Sequence, residues 1–151
     1  MADKKDVTWE DIEARVIQPA LKIAEDTSLG EGEKERAWAE QGLGGKSFYG
    51  LAKACVNTYT FILSNMYPNI ISNACSPGWI ETDLTRPYLG SIGKTAKDIG
   101  MLPVEKGTVS PIHLLMDTLE GNGRYYGSDG KRSPMHRSRD PGDPEYDGTF
   151  P

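Results

Sequence analysis

The chain has 151 residues, 37% hydrophobic and 26% charged, with a formal net charge of −5 at pH 7. That balance suits a single globular domain and argues against a nucleic-acid surface, which needs a basic patch. No apolar run approaches the roughly 18 residues of a membrane span, and residues 1–6 are charged rather than leader-like, so the expectation is a cytoplasmic protein without membrane or nucleic-acid partners.

Taken from the front, Thr8 and Asp11 have the spacing of a capping pair, and Ile12, Val16, Ala20 and Ile23 recur with helical period despite Pro19. A charged second helix is predicted over residues 31–41, carrying Trp38 and ending at Gly42. Gly45-Lys46-Ser47 mimics the end of a phosphate loop. Glu40 stands where the first glycine of such a loop belongs, and no strand precedes it, which sets the nucleoside-triphosphate reading aside.

Residues 48–67 follow as the longest predicted helix. Leu51, Cys55, Tyr59, Ile62 and Met66 recur on one face and Pro68 ends the run. Tyr49, Lys53 and Asn57 fall one turn apart on the other face. A phenol is thereby set beside an ammonium, which favours the phenolate and equips the tyrosine for proton transfer to or from a substrate oxygen. The alternative on spacing alone is a tyrosine packed at a helix start with a solvated lysine.

Residues 69–76 (Asn-Ile-Ile-Ser-Asn-Ala-Cys-Ser) read as one strand, bounded by Pro68 and by Pro77-Gly78. A Pro-Gly loop at the carboxyl end of a strand in an α/β sheet lies where ligands bind, and its glycine permits close backbone approach. Cys55 and Cys75 fall in predicted core elements and are expected to pack unbridged. His113 and His136 have no metal-ligand spacing, and His113 is expected to be structural. Residues 133–151, rich in Pro, Gly, Asp and Arg, read as an extended or disordered tail.

The segments Ser47-Phe48-Tyr49-Gly50-Leu51-Ala52-Lys53-Ala54 and Asn73-Ala74-Cys75-Ser76-Pro77-Gly78-Trp79-Ile80-Glu81-Thr82-Asp83 resemble the short-chain dehydrogenase/reductase family, most of all its carbonyl-reductase-like branch. Pro103-Val104-Glu105-Lys106-Gly107 through Pro111 is similar to the helix after that family's substrate loop, and Gly123-Arg124-Tyr125-Tyr126 to its last strand. The resemblance implies an α/β fold, the C-terminal part of a doubly wound Rossmann-like parallel sheet, with inserted helices over 8–42 before the catalytic helix and the domain ending near residue 132. It implies Tyr49 as general acid, Lys53 as its partner and ribose contact, backbone groups of Pro77, Gly78, Trp79 and Ile80 at the carboxamide, and Thr82 at the ribose or phosphate. Trp79 would line the substrate site, or else pack in the core.

What the resemblance does not cover is as informative. The family needs a glycine-rich turn between its first strand and helix; Gly42, Gly44 and Gly45 follow a charged helix instead, and neither Gly90 with Gly93 nor Gly121 with Gly123 has that context. The family's catalytic serine also lacks a counterpart, since Ser47 lies too close to Tyr49 in sequence. The expectation is therefore a C-terminal half, inactive alone, monomeric when complete and self-associating when truncated. The expected substrate is a small-molecule carbonyl compound, and the expected cofactor is NADP(H), with NAD(H) open because the residues that read the adenosine ribose belong to the other half. A non-catalytic binding or regulatory fragment, and an unrelated helical interaction domain, are the competing readings.

Overall fold

The computed structural model describes residues 7–43, 48–135 and 139–148. The phosphate-loop-like Gly44, Gly45, Lys46 and Ser47, together with His136, lie outside the described residues.

Helix α1 (Trp9–Ile12) starts at a reciprocal cap: the Asp11 N–H donates to the Thr8 hydroxyl at 3.2 Å and the Thr8 N–H donates to the Asp11 carboxylate at 3.2 Å. Pro19 has no N–H and its ring crowds the carbonyl four residues back, conditions that normally break a helix. Here the chain widens into a π turn over Glu13–Ile17, in which the Gln18 N–H reaches the Glu13 carbonyl, and α2 (Gln18–Glu25) begins with Pro19 in its first turn. Helix α3 (Glu31–Glu40) follows, its start tied by the Gly30 N–H donating to Glu33 at 2.9 Å.

The apolar faces of these front helices converge. Ala20, Ile23 and Trp38 form a buried cluster against which Leu29, Ala37, Leu43 and Leu51 pack. Leu51 belongs to α4 (Phe48–Met66), so the cluster is the seam between the front helices and the helix that carries Tyr49 and Lys53. Trp38 meets Phe48 edge to face, and Trp9 meets Tyr59 the same way with ring centroids 5.1 Å apart. The predicted stripe along α4 is only partly covered: Ile62 is buried, whereas Tyr59 and Met66 are exposed. The front cluster reaches only the Phe48 and Leu51 end of α4, and toward the far end Ile62 and Ser64 are buried while Met66 is left exposed.

The sheet has three short strands in the order β1-β2-β3. Strand β1 (Ala74–Cys75) runs parallel to β2 (Tyr125–Tyr126), with Ala74 opposite Tyr125, and β2 runs antiparallel to β3 (Arg132–Ser133). The crossover from β1 to β2 contains α5 (Arg86–Ile92), two short 3-10 segments at Lys97–Ile99 and Val104–Thr108, and α6 (Val109–Met116). The fold is thus mixed α/β with one parallel pair, rather than the fully parallel sheet that the resemblance implies, and its third strand comes from a segment that reads as loop and tail.

Both anticipated strands are shorter than the sequence suggests, and two asparagines explain why. The Ser72 N–H donates to the Asn122 side chain at 2.6 Å, Asn122 Nδ2 donates to the Ile70 carbonyl at 2.7 Å, and the Arg124 N–H donates to Asn73 Oδ1 at 2.8 Å. One backbone bond persists there, from the Gly123 N–H to the Ser72 carbonyl at 3.0 Å, but side chains take the other positions, so regular pairing begins only at Ala74 and Tyr125. Ile70 follows a turn closed by its own N–H on the Tyr67 carbonyl at 2.9 Å and is exposed with Ile71.

After β2 the chain turns through residues 127–131, closed by the Gly127 N–H on the Lys131 carbonyl at 2.8 Å. Ser110 of α6, 0% exposed, bonds the Gly127 carbonyl and accepts from the Gly130 N–H at 3.2 Å, so helix and turn are pinned together. Residues 139–148 return to this hairpin: the Tyr146 N–H donates to the Arg132 carbonyl at 3.1 Å and the Arg132 N–H donates to Glu145 at 2.9 Å. Asp140-Pro141-Gly142-Asp143 is itself a turn, closed by the Asp143 N–H on Asp140 at 3.1 Å with Gly142 at φ +100°.

Candidate active site

The first turns of α4 carry Tyr49 and Lys53, and the helical phase sets them side by side: Lys53 Nζ lies over the Tyr49 ring, 5.4 Å from its centroid. The ammonium contacts the ring face, a cation–π arrangement. Tyr49 is 68% exposed, so its phenol is accessible at the helix surface.

The loop after β1 supplies the second component. The Ser76 N–H still pairs with the Tyr126 carbonyl at 3.0 Å, and the Gly78 N–H then folds back onto the Ser76 hydroxyl at 3.1 Å. Gly78 has φ +87°, and a Cβ there would lie 2.8 Å from Ser128 Cβ. A glycine is therefore required by the fold itself, whatever approaches the loop from outside. Beyond it the backbone is fixed by a parallel bridge between Ile80 and Leu102: the Leu102 N–H donates to Trp79 at 2.8 Å and the Glu81 N–H to Leu102 at 2.9 Å. The Thr85 hydroxyl accepts from the Thr82 N–H at 2.8 Å and donates to the Ile80 carbonyl at 2.9 Å. Ile80 is buried, yet its N–H makes no hydrogen bond among the described residues.

These parts enclose one cleft of about 770 Å³, within the range of small-molecule sites. Tyr49, Pro77, Gly78, Trp79, Ile80 and Thr82 all line it. Lys53 is not part of the lining and stands behind Tyr49. Trp79 is 56% exposed and tilts against Tyr88 at 6.2 Å between centroids, so it is a cleft residue rather than a core one. Leu84 and Leu102 add apolar surface, and the wall also includes Ser128, Ser133, Arg139, Asp140 and Pro141.

Those last five residues carry no sequence signal that would place them at a site. Arg139 pairs with Asp129 across ten residues of chain, a contact for which no local signal exists. Thr85, which clamps the cofactor-loop candidates Ile80 and Thr82, is likewise absent from the expected site. His113, to which the sequence pattern assigns no partner, has one at i+4: Nδ1 lies 2.7 Å from Asp117 Oδ2, and the ring sits edge-on to Tyr126. Cys55 and Cys75 are free thiols, both raised above the ordinary thiol value by burial. No group of three or more His, Cys, Asp or Glu among the described residues is placed to hold a metal ion, and no helix among them is long and apolar enough to cross a membrane.

No protein-family model matches the chain, and no solved structure matches it. Curated proteins do. Short-chain dehydrogenase/reductase 1 of Saponaria officinalis is 37% identical over 82 residues, which is 54% of this chain and 24% of that protein. The (+)-neomenthol dehydrogenase of Arabidopsis thaliana is 31% identical over 116 residues, 77% of this chain and 32% of the relative. Carbonyl reductase (NADPH) 3 of Rattus norvegicus is 30% identical over 121 residues, 74% of this chain and 37% of the relative. The chain is thus related to the short-chain dehydrogenase/reductases, carbonyl reductases among them. It spans between a quarter and two fifths of the length of these relatives.

Proposed function

We propose that residues 1–151 carry the proton-donating and nicotinamide-facing part of an NADPH-dependent carbonyl reductase. The observation that carries this reading is the convergence of Tyr49, backed by Lys53, with the loop Pro77, Gly78, Trp79, Ile80 and Thr82 on one cleft. NADPH, which the related carbonyl reductase carries in its name, supplies a hydride when bound. The chain's residues do the rest. Tyr49 gives its phenolic proton to the oxygen of the reduced carbonyl, and the Lys53 charge stabilises the anion left behind. The Ile80 N–H, without a bond among the described residues, is a donor suited to a carboxamide oxygen, and the Thr82 hydroxyl, 3.4 Å from that of Thr85, is held at the cleft wall for a sugar or phosphate oxygen. Trp79, Leu84 and Leu102 offer an apolar wall to the substrate's hydrocarbon body.

Among the described residues no strand leads through a glycine-rich turn into a helix, so none of their helix N-termini is built to receive a pyrophosphate in the way the family's first turn does. For the 151-residue chain by itself we therefore propose weak cofactor binding and no turnover. This same feature favours a second reading, a non-catalytic binding fragment. Hydrogen exchange during NADPH titration tests the first. Millimolar NADPH should slow exchange across residues 78–82, which line the cleft or are fixed beside it. Exchange there that is unmoved at saturation contradicts the nicotinamide assignment.

A further inference from the structure

We infer that Arg139 is a positioning residue for the cleft: it clamps the 127–131 turn against Gly78 and carries residues 139–141 into the cleft wall. Its side chain is only 5% exposed although it borders the cleft. Nη2 pairs with Asp129 Oδ1, while Nη1 donates to the Asp143 carbonyl at 2.8 Å and the Asp140 carbonyl at 3.2 Å. One guanidinium thus joins the hairpin turn to the returning segment, using the planar fork that a lysine lacks. A Cβ placed at Gly127 would meet Arg139 Nη2 at 3.1 Å and Asp129 Oδ1 at 3.2 Å, so the pair lies directly on the turn backbone. The next residue, Ser128, is the one that fills the space beside Gly78. Contact therefore runs from Arg139 through Asp129 and Gly127 to Ser128 and the loop at 77–80.

The chemistry makes this junction sensitive. Removing the guanidinium takes the charged partner from the partly buried Asp129 carboxylate, which keeps only backbone donors such as the Lys131 N–H at 3.2 Å, and takes from the Asp143 carbonyl the donor that ties the returning segment to the turn. Without it the turn keeps the Ser110 bonds and its own Gly127–Lys131 bond, but Gly78 is fixed less firmly, and a ligand held by residues 77–80 must order the loop further as it binds. The effect on ligand affinity rests on the function proposed above, whereas the clamp itself does not.

Two readouts on the full chain keep those apart. In R139Q, hydrogen exchange should speed by about tenfold at the Gly127, Gly130 and Tyr146 amides and also at Gly78, with the Ile62 region of α4 unchanged. R139K should recover most of the Gly127 and Gly130 protection through Asp129, and D129N should reproduce the Gly78 loss without touching Arg139. NADPH affinity should fall by a similar factor in R139Q. Faster exchange at Tyr146 with Gly78 unmoved, in both R139Q and D129N, would show that the segment is stapled to the hairpin without positioning the loop and would overturn the inference. Should R139Q unfold, seen as exchange throughout α4, D129N decides in the same way. An unmodified chain that fails to bind NADPH rejects the proposed function and leaves the exchange pattern to judge the clamp.

Discussion

Gly78 shows how one residue couples the sheet to the cleft. A side chain there meets two obstacles, a φ of +87° and Ser128 Cβ at 2.8 Å. Gly78→Ala should lower unfolding stability by on the order of 1–3 kcal/mol in a denaturant titration. Adding Ser128→Gly should return part of that loss, because it relieves the contact and leaves the backbone strain. Asp129 sets a pH signature. Burial alone would push its carboxyl up, but the Arg139 hydrogen bond, the Lys131 N–H and the Arg139 charge outweigh burial and hold it below the ordinary 3.8. Since the folded value lies below the unfolded one, its stabilisation is present above about pH 4 and is lost as pH falls through the lowered value. The difference in thermal midpoint between the unmodified chain and Asp129→Asn should therefore shrink as pH is taken from about 6 to about 3. A constant difference across that range would show that Asp129 does not act through its charge.

Among the helices and strands, what was legible in the sequence was what depends on neighbours in sequence. The Thr8–Asp11 cap, the front stripe through Ile23 and the adjacency of Tyr49 and Lys53 all follow from helical spacing and are present. The strands read as longer than they are because Ile70 and Ile71 look like core, whereas Asn73 and Asn122, some fifty residues apart, interrupt the ladder with side-chain bonds. The π turn ahead of Pro19 and the folded return of 139–148 were also invisible, the latter because Pro, Gly and Asp read as loss of structure when they build a turn against a distant hairpin. Asn122→Ala strands the Ser72 N–H and the Ile70 carbonyl, and it should cost about 1–3 kcal/mol in unfolding stability. Thr8→Ala, at an exposed cap, should cost nearer 1 kcal/mol. If Asn122→Ala proves the milder of the two in parallel denaturation curves, the side-chain ladder does not hold β1 to β2.

The sheet formed by the described residues is unbalanced. Among the described residues β1 is paired only with β2, which leaves its other edge without a strand. Leu115, Met116, Ile70 and Ile71 are exposed as well, an apolar surface that a folded monomer normally covers. The isolated chain is expected to self-associate, and sedimentation at rising concentration should show a growing average mass; a monodisperse monomer would mean that these surfaces are harmless. The proposed function stands or falls with Tyr49 as proton donor, and one assay addresses that role: NADPH oxidation with a carbonyl substrate, in a competent form that joins residues 1–151 to a nucleotide-binding segment, with and without Tyr49→Phe. Turnover should fall by about 10² to 10⁴ with cofactor affinity retained. Near-normal turnover of the Tyr49→Phe enzyme would contradict the assignment.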